Sequence, residues 1–165
     1  MRFDEVDAII SQWELVRPEA DVSPLAVLSR ITRLSKRLGK ARAAAFASAT
    51  LEPWEWDVLA ALRRARQPLS PKQLLEATMV TSGTMTNRLS GLAERGLIDR
   101  VAHESDRRSS LVAITDAGID LVDTALDALL EAERRILSSL TDDERDDLAS
   151  LLRTLGGGFA DRQTD

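Results

Sequence analysis

The sequence predicts a mostly helical protein that carries one short two-stranded ribbon. Leu and Ala dominate its apolar residues, whereas Tyr is absent and aromatic residues make up only 4% of the 165 residues. This composition favours helices over sheets. Apolar residues also recur at helical spacing along most of the chain, and two strand-like runs stand together near residue 105. We therefore expect helices on both sides of a small ribbon.

Two helices are predicted before residue 49. Residues 3–16 place Trp13 among aliphatic side chains at helical spacing, and residues 17–22 form a turn. Ser23 followed by Pro24 is typical of an N-cap with proline in the first helical turn. The apolar face of the following helix consists of Leu25, Leu28, Ile31, Leu34, Ser35 and Leu38. Its other faces carry six basic residues with no acid between them.

The middle of the chain contains the clearest local signals. Pro53 begins a helix, and its predicted buried stripe consists of Trp54, Val58, Ala61 and Leu62. The segment Ser70-Pro71-Lys72-Gln73 is a capping box with proline at the first helical position, and it opens a short helix over 71–77. After a break at 78–80, Thr81 caps a second helix that ends at Gly96, a residue suited to a left-handed C-terminal position.

A ribbon and two further helices complete the predicted elements. Ile98–His103 and Ser109–Ile114 are strand-like, and the polar segment Glu104–Arg108 turns between them. Thr115 caps a long helix, and Thr141 with Glu144 forms a capping box for the last one. The residues expected to face inward are Leu121, Val122, Ala125, Leu126, Leu129, Leu130, Leu148, Leu151, Leu152 and Leu155. Residues 156–165 are expected to fray.

The predicted elements follow in the order helix, short helix, turn, helix and ribbon. This order is typical of a winged helix-turn-helix. The second helix of such a unit lies in the major groove of DNA. The C-terminal helices carry apolar residues over 119–130 and 148–155. This apolar surface is larger than the terminal helices of one chain can bury by themselves, which indicates that they form a dimerisation lobe. A monomeric six-helix core is the alternative.

The distribution of charge agrees with a nucleic-acid partner. The net charge is −5, but residues 1–29 carry −4, residues 30–110 carry +7 and residues 111–165 carry −8. A cationic middle between anionic ends is a patterned field that suits a polyanion. The alternative is an Arg-rich helix face that is merely solvated.

The predicted recognition helix, residues 81–95, has two distinct faces at 100° per residue. Met85, Leu89 and Leu92 cluster toward the core. The opposite face consists of Gly83, Thr84, Asn87, Ser90 and Gly91. Small hydroxyl and amide side chains permit close approach to base edges and phosphates, although packing against another subunit would also explain them. Arg88 lies at the border, where it reaches DNA or folds back toward the interior.

The ribbon tip supplies a second candidate DNA contact. Arg107 and Arg108 place two guanidinium groups there, and a tip arginine can enter an adjacent minor groove. Asp106 is placed to orient one of them, and a solvated turn is the alternative. The predicted DNA-contacting residues are Ser82, Gly83, Thr84, Thr86, Asn87, Ser90, Arg107 and Arg108.

Several other functions are poorly supported by the sequence. The absence of Cys excludes disulfides, thiolate metal sites and thiol nucleophiles. His103 is the single histidine, and no catalytic motif of the HExxH or GxSxG type is present. We expect no enzyme activity, no metal and no cofactor. No apolar run approaches the roughly 20 residues of a membrane span, and no secretion signal is evident, so we expect a cytoplasmic protein.

The stretch from Pro53 to Gly118 resembles the MarR family of winged-helix regulators. The matching segments are SPKQLLEATMVTSGTMTNRLSGLAERGLIDR and DRRSSLVAITDAG. The resemblance implies a homodimer that reads a pseudo-palindromic operator. It also implies helices over 1–48 that form the dimer lobe and the wall of a ligand pocket, a DNA-binding lobe over 49–115, dimerisation helices over 116–158 and a disordered tail over 159–165.

A narrower resemblance concerns the urate-responsive subgroup of that family. An N-terminal helix with a Trp, the segment PWEWDVLAALRRA and the segment TSGTMTNR are similar to that subgroup. The resemblance assigns four ligand-associated residues to Trp13, Asp57, Arg88 and Arg100. Arg88 would pair with an anionic purine and Trp13 would form an aromatic wall. Asp57 would hold Arg100 and be repelled by the incoming anion, which would shift the recognition helix.

The residues and the resemblance together predict a DNA-binding transcriptional repressor, and the resemblance implies release from its operator by a small anionic ligand such as urate. The alternatives are a regulator that responds to a different aromatic or carboxylate ligand, and a regulator with no ligand. A winged helix also serves as a protein-docking module in other proteins, which is the third possibility.

Overall fold

The computed structural model describes residues 3–78, 82–102 and 110–160, and these contain seven helices and two strands. In chain order the elements are α1 Glu5–Val16, α2 Leu25–Ser48, α3 Pro53–Ala65, α4 Pro71–Thr78, α5 Ser82–Glu94, β1 Ile98–Ala102, β2 Ser110–Ile114, α6 Asp116–Leu137 and α7 Asp142–Ala160. The predicted order of helices and ribbon is confirmed. Among the described residues, no helix is both long and apolar enough to cross a membrane.

The hydrophobic core is centred on α3. Val58, Leu59 and Leu62 of this helix are almost completely buried, because α2, α4, α5, β2 and α6 all pack around it. The last turns of α2 belong to the same core, where the Phe46 ring stacks on Trp56 with centroids 4.7 Å apart. The core therefore crosses the predicted boundary between residues 48 and 49.

The ribbon is a two-stranded antiparallel sheet that pairs Ile98 with Ile114 and Arg100 with Val112. Leu69, in the segment before α4, adds a bridge to Val112 through two backbone hydrogen bonds of 2.8 and 2.9 Å. Gly118 allows α6 to start close to this ribbon, because a Cβ atom there would lie 2.3 Å from the carbonyl oxygen of Leu97. The glycine of the Thr-Asp-Ala-Gly segment is thus required by close packing.

Most of the predicted helix ends are confirmed. The Ser70 and Gln73 side chains and backbones exchange hydrogen bonds at the start of α4, and Thr141 does the same with Glu144 before α7. The Thr115 hydroxyl accepts from the Gly118 N–H, and Gly96 has φ +69°.

The predicted cap at Ser23 is wrong. Helix α2 begins at Leu25 with Pro24 at the N-cap position, and no side chain caps it. The Ser23 N–H instead donates to the Asp21 carboxylate at 3.0 Å. This bond closes a turn before the helix, so that the serine lies outside the capping position.

The expected fraying of residues 156–165 is also wrong in part. Helix α7 continues through three successive glycines as far as Ala160, and it therefore includes the first two residues of the predicted tail. Residues 161–165 lie outside the described part of the chain.

Several leucines predicted to face inward are exposed. Leu126 and Leu130 of α6 are 39% and 37% exposed, while Val122, Ala125 and Leu129 of the same helix are buried. The exposed members of the predicted apolar faces on the terminal helices are Leu28, Leu34, Leu38, Leu148, Leu151, Leu152 and Leu155. Periodicity identified a helix face correctly, but no element in the described part of the chain buries it.

Candidate nucleic-acid interface and anion site

Helix α5 has the two faces that the sequence predicts. Met85, Leu89 and Leu92 are 1%, 3% and 0% exposed, and they fix the helix against the α3 core. The exposed residues on the other side are Gly83, Thr84, Thr86, Asn87 and Ser90. No long side chain projects from these five positions, so a groove of nucleic acid can approach the helix backbone closely.

Gly91 does not belong to this outward face, which corrects the prediction. It is half-buried, and a Cβ atom at this position would lie 3.8 Å from the Trp54 ring. The reason is that Trp54 of α3 packs across the middle of α5. Gly91 therefore faces α3 of the same chain.

The other predicted DNA contacts lie outside the described residues. Arg107 and Arg108 fall within the undescribed segment 103–109, as do Asp106 and His103. Thr81, predicted as a cap, is undescribed as well. Helix α5 begins at Ser82, whose side chain is not described.

Arg88 folds back toward the interior and does not project from the outward face of α5. Its guanidinium carbon lies 5.5 Å from the centroid of the Trp54 ring, a distance typical of a cation–π contact. Its Nη1 atom is buried and has no hydrogen-bond partner. A buried guanidinium nitrogen without an acceptor is costly, and it is suited to receive an anionic group.

Asp57 lies one turn after Trp54 on α3, near Arg88. Asp57 is an exposed residue, and partial desolvation of its carboxyl group raises its pKa above the usual value. The positive charges that oppose the shift belong to Arg88, Arg42 and Arg64. The site thus contains a carboxyl group with a raised pKa and a guanidinium whose buried Nη1 lacks an acceptor.

Trp13 and Arg100 are placed on separate elements. Trp13 is 48% exposed on α1, a helix that packs on α2. Arg100 is exposed on β1. The structure has no ion pair between Arg100 and Asp57, whereas Asp57 and Arg88 do interact electrostatically.

Trp54 is the functional candidate that the sequence analysis missed. The apolar pattern assigned it only to the core, but its half-buried ring forms the platform beneath Arg88. A signal was present, since Trp54 and Asp57 are three residues apart and therefore neighbours on one helix face. Among the described residues, no cluster of His, Asp or Glu could hold a metal ion.

A comparison with known proteins identifies the family. The chain is 37% identical over 153 residues to the HTH-type transcriptional regulator PecS of Dickeya dadantii, and the match covers 92% of each chain. A family model described as MarR family matches residues 49–109.

The chain belongs to the MarR family of winged-helix transcriptional regulators. The predicted family resemblance is therefore confirmed.

Solved structures support the same fold. A probable transcriptional regulator from Pseudomonas aeruginosa is 30% identical with a TM-score of 0.63, and the match covers 76% of this chain and 96% of that one. A MarR mutant from E. coli complexed with operator DNA is 21% identical with a TM-score of 0.69, covering 82% of this chain and 99% of that one. These relatives are named as transcriptional regulators, the class that the sequence predicts.

Proposed function

We propose that this MarR-family chain is a homodimeric repressor that binds double-stranded DNA through α5 and leaves its operator when a small planar anion binds. The observation that carries the DNA-binding part is the exposed face of α5, where five small or amide residues stand opposite a fully buried face. Major-groove recognition requires such close approach, and Asn is well suited to pair with adenine.

The wing supplies the second DNA contact in this proposal. Arg107 and Arg108 stand at the predicted ribbon tip, and an arginine there suits the narrow, electronegative minor groove. A dimer places two recognition helices and two wings on one face of the duplex, so a pseudo-palindromic operator is expected.

The dimer is supported by the apolar surface of the terminal helices. Helix α7 makes almost no packing contact with the other described elements, yet Leu151 and Leu152 on it are 68% and 47% exposed. Leu126 and Leu130 of α6 are also exposed, at 39% and 37%. Exposed apolar helix faces of this kind mark a protein interface, and a second copy of the chain is the partner proposed for them.

The effector site is proposed at Arg88. Its buried Nη1 without an acceptor and its position over the Trp54 ring suit a flat anion, which a guanidinium binds bidentately. Urate or a related purine has this chemistry, in line with the resemblance to the urate-responsive subgroup. Binding there would place the ligand on the recognition helix itself.

The remaining residues assigned by the resemblance act around Arg88. Asp57 would be repelled by the incoming negative charge, and its raised pKa makes proton uptake a second way to relieve that repulsion. Trp13 would supply an aromatic wall from α1. Arg100 would be held by Asp57 in the DNA-bound state, through an ion pair that these two residues do not form in this structure.

DNA binding is tested with a duplex selected by the wild-type protein from a random-sequence library. The combined substitution Asn87→Ala and Arg107→Ala is expected to weaken binding by at least about tenfold, because it removes a base contact and a groove contact. Wild-type binding should also weaken as salt increases. Unchanged affinity of the double variant would refute this surface.

The effector is tested by thermal shift and by release of the selected duplex, with urate, xanthine, salicylate and citrate as probes. Urate is expected to raise the melting temperature and to release the duplex, and Arg88→Gln should abolish both effects. Arg134→Gln removes a charge from the exposed surface of α6 and serves as the control. A response to salicylate or citrate alone would identify a different ligand class, and no response to any probe would favour a regulator without a ligand.

A further inference from the structure

Glu55 is a buried carboxylate that the proposed function does not use. It is the only charged residue of the described part of the chain that is buried, at 4% exposure. One carboxylate oxygen accepts the Glu52 N–H at 2.9 Å, which closes the capping box at the start of α3. Capping alone does not require burial, because the other capping boxes in this chain are exposed.

The second oxygen of Glu55 is bound by Arg95, which directly follows α5. The Arg95 Nη1 donates to Glu55 Oε1 at 2.6 Å, and its Nη2 donates to the carbonyl oxygen of Thr50 at 3.0 Å. The Arg95 N–H still donates to the Gly91 carbonyl oxygen, so this side chain is carried by the rigid end of the helix.

Thr50, the second acceptor of Arg95, is attached to the end of α2 by a backbone hydrogen bond. It lies between α2 and α3 in a left-handed conformation, with φ +56°, and its N–H donates to the Ala47 carbonyl oxygen at 3.0 Å. The planar guanidinium of Arg95 therefore joins the end of α2, the start of α3 and the end of α5. An arginine can hold two acceptors in this way because its donors form a rigid fork.

We propose that Glu55 and Arg95 form a positioning pair that sets the tilt of α5 in the DNA groove, a role that rests on the DNA-binding function proposed above. Asn87 stands eight residues before Arg95, which is about 12 Å along the helix axis. A tilt of about 10° at the Arg95 end would move Asn87 by about 2 Å. Hydrogen bonds to base edges do not survive such a displacement, whereas phosphate contacts by flexible side chains adapt to it.

The test compares the library-selected duplex with a scrambled duplex of the same length. Arg95→Gln and Glu55→Gln are each expected to lower affinity for the selected duplex by about tenfold and to change affinity for the scrambled duplex by less than about twofold. The double variant should lose no more than the worse single variant, because the two residues act as one unit.

Arg63→Gln is the matched control. Arg63 of α3 donates two hydrogen bonds to Asp123, at 3.0 and 2.9 Å, so the substitution breaks a similar ion pair that does not reach α5. It should leave the ratio of the two affinities unchanged. Equal losses on both duplexes with Arg95→Gln would show that the pair only supports folding, and unchanged affinity would show no role, so either result overturns the proposal.

If Arg95→Gln does not fold, the affinity ratio is measured with Arg95→Lys. If the wild type binds no duplex, hydrogen exchange of the unbound protein is measured. Arg95→Lys keeps the charge, but its single ammonium group cannot bridge Glu55 and Thr50 as a fork does, so the affinity ratio should still fall. By hydrogen exchange of the unbound protein, Arg95→Lys should deprotect residues 49–55 and 83–95 together. Intact protection in both segments would show that the Glu55–Arg95 pair does not hold α5 to α2 and α3, and would overturn the proposal. Failure of the wild type to bind any duplex would refute only the DNA-binding function.

Discussion

The winged lobe, residues 49–115, and the terminal helices have the same leucine periodicity but bury it differently. Leu59 and Leu74 of the winged lobe are 0% exposed, whereas Leu151 of α7 is 68% exposed. The difference follows from topology, since α3 is surrounded by other elements, whereas α7 makes almost no packing contact with the other elements that the structure describes. An apolar helix face therefore becomes a core in one region and a proposed interface in the other.

The largest expected effect comes from a core leucine of the winged lobe. Leu59→Ala should lower the free energy of unfolding by about 2–5 kcal/mol, because it leaves a cavity that the packed helices cannot close. Urea denaturation measures the change. Leu15→Ala, at a position 82% exposed on α1, should change it by less than about 0.5 kcal/mol. Similar losses in both variants would contradict the assignment of the core to α3.

Leu151→Asp should act on association and not on the winged core. A charge in the proposed interface is expected to raise the dimer dissociation constant at least about a hundredfold, which is about 2.7 kcal/mol. Sedimentation equilibrium measures this, and Ser150→Asp adds the same charge to the adjacent, exposed position of α7. If Leu151→Asp and Ser150→Asp have the same dimer dissociation constant as the wild type, α7 does not form the interface.

The junction of the two regions is tested at Gly118. Gly118→Ala should destabilise the protein by about 1–3 kcal/mol, because the added methyl group would meet the Leu97 carbonyl oxygen and the Ile114 side chain. Gly39→Ala is the control, since nothing lies within 4 Å of a Cβ atom there. This second change should stabilise α2 slightly. Thermal denaturation of the two variants gives the comparison, and equal effects would contradict the close packing of α6 on the ribbon.

Local signals predicted much of the winged lobe. The capping box at Ser70, the left-handed Gly96 and the buried face of Met85, Leu89 and Leu92 depend on neighbours within a few residues. Periodicity could not show which faces lack a partner, so Leu126 and Leu130 were assigned to the core.

The candidate site was less predictable than the fold. Arg88 was correctly placed at a helix border, but the sequence alone does not reveal that Trp54 of another helix lies beneath it. The Glu55–Arg95 pair joins residues 40 positions apart. Contacts of this kind arise only after the helices pack.

The smallest expected effect concerns the attachment of α1 to α2 at low pH. Hydrogen bonds from Arg30 and from the first turn of α1 lower the pKa of Asp4 from 3.8 to about 2. Because the folded pKa is depressed, the stabilisation is present above the unfolded value and is lost as the pH falls through about 2. Hydrogen exchange should show protection of α1 that declines between these two values. In Asp4→Asn the protection should be weaker at neutral pH and should lose this dependence, and an unaltered profile would exclude the role of Asp4.

We propose that two copies of the chain, joined through the terminal helices, present their α5 helices to one duplex. The most direct test is the mass of the complex formed with the library-selected duplex, measured by sedimentation or native mass spectrometry in dilute buffer. Two chains per duplex are expected, with no complex of one chain. A stable complex with a single chain, or a monomer that binds no duplex at low salt, would contradict this proposal.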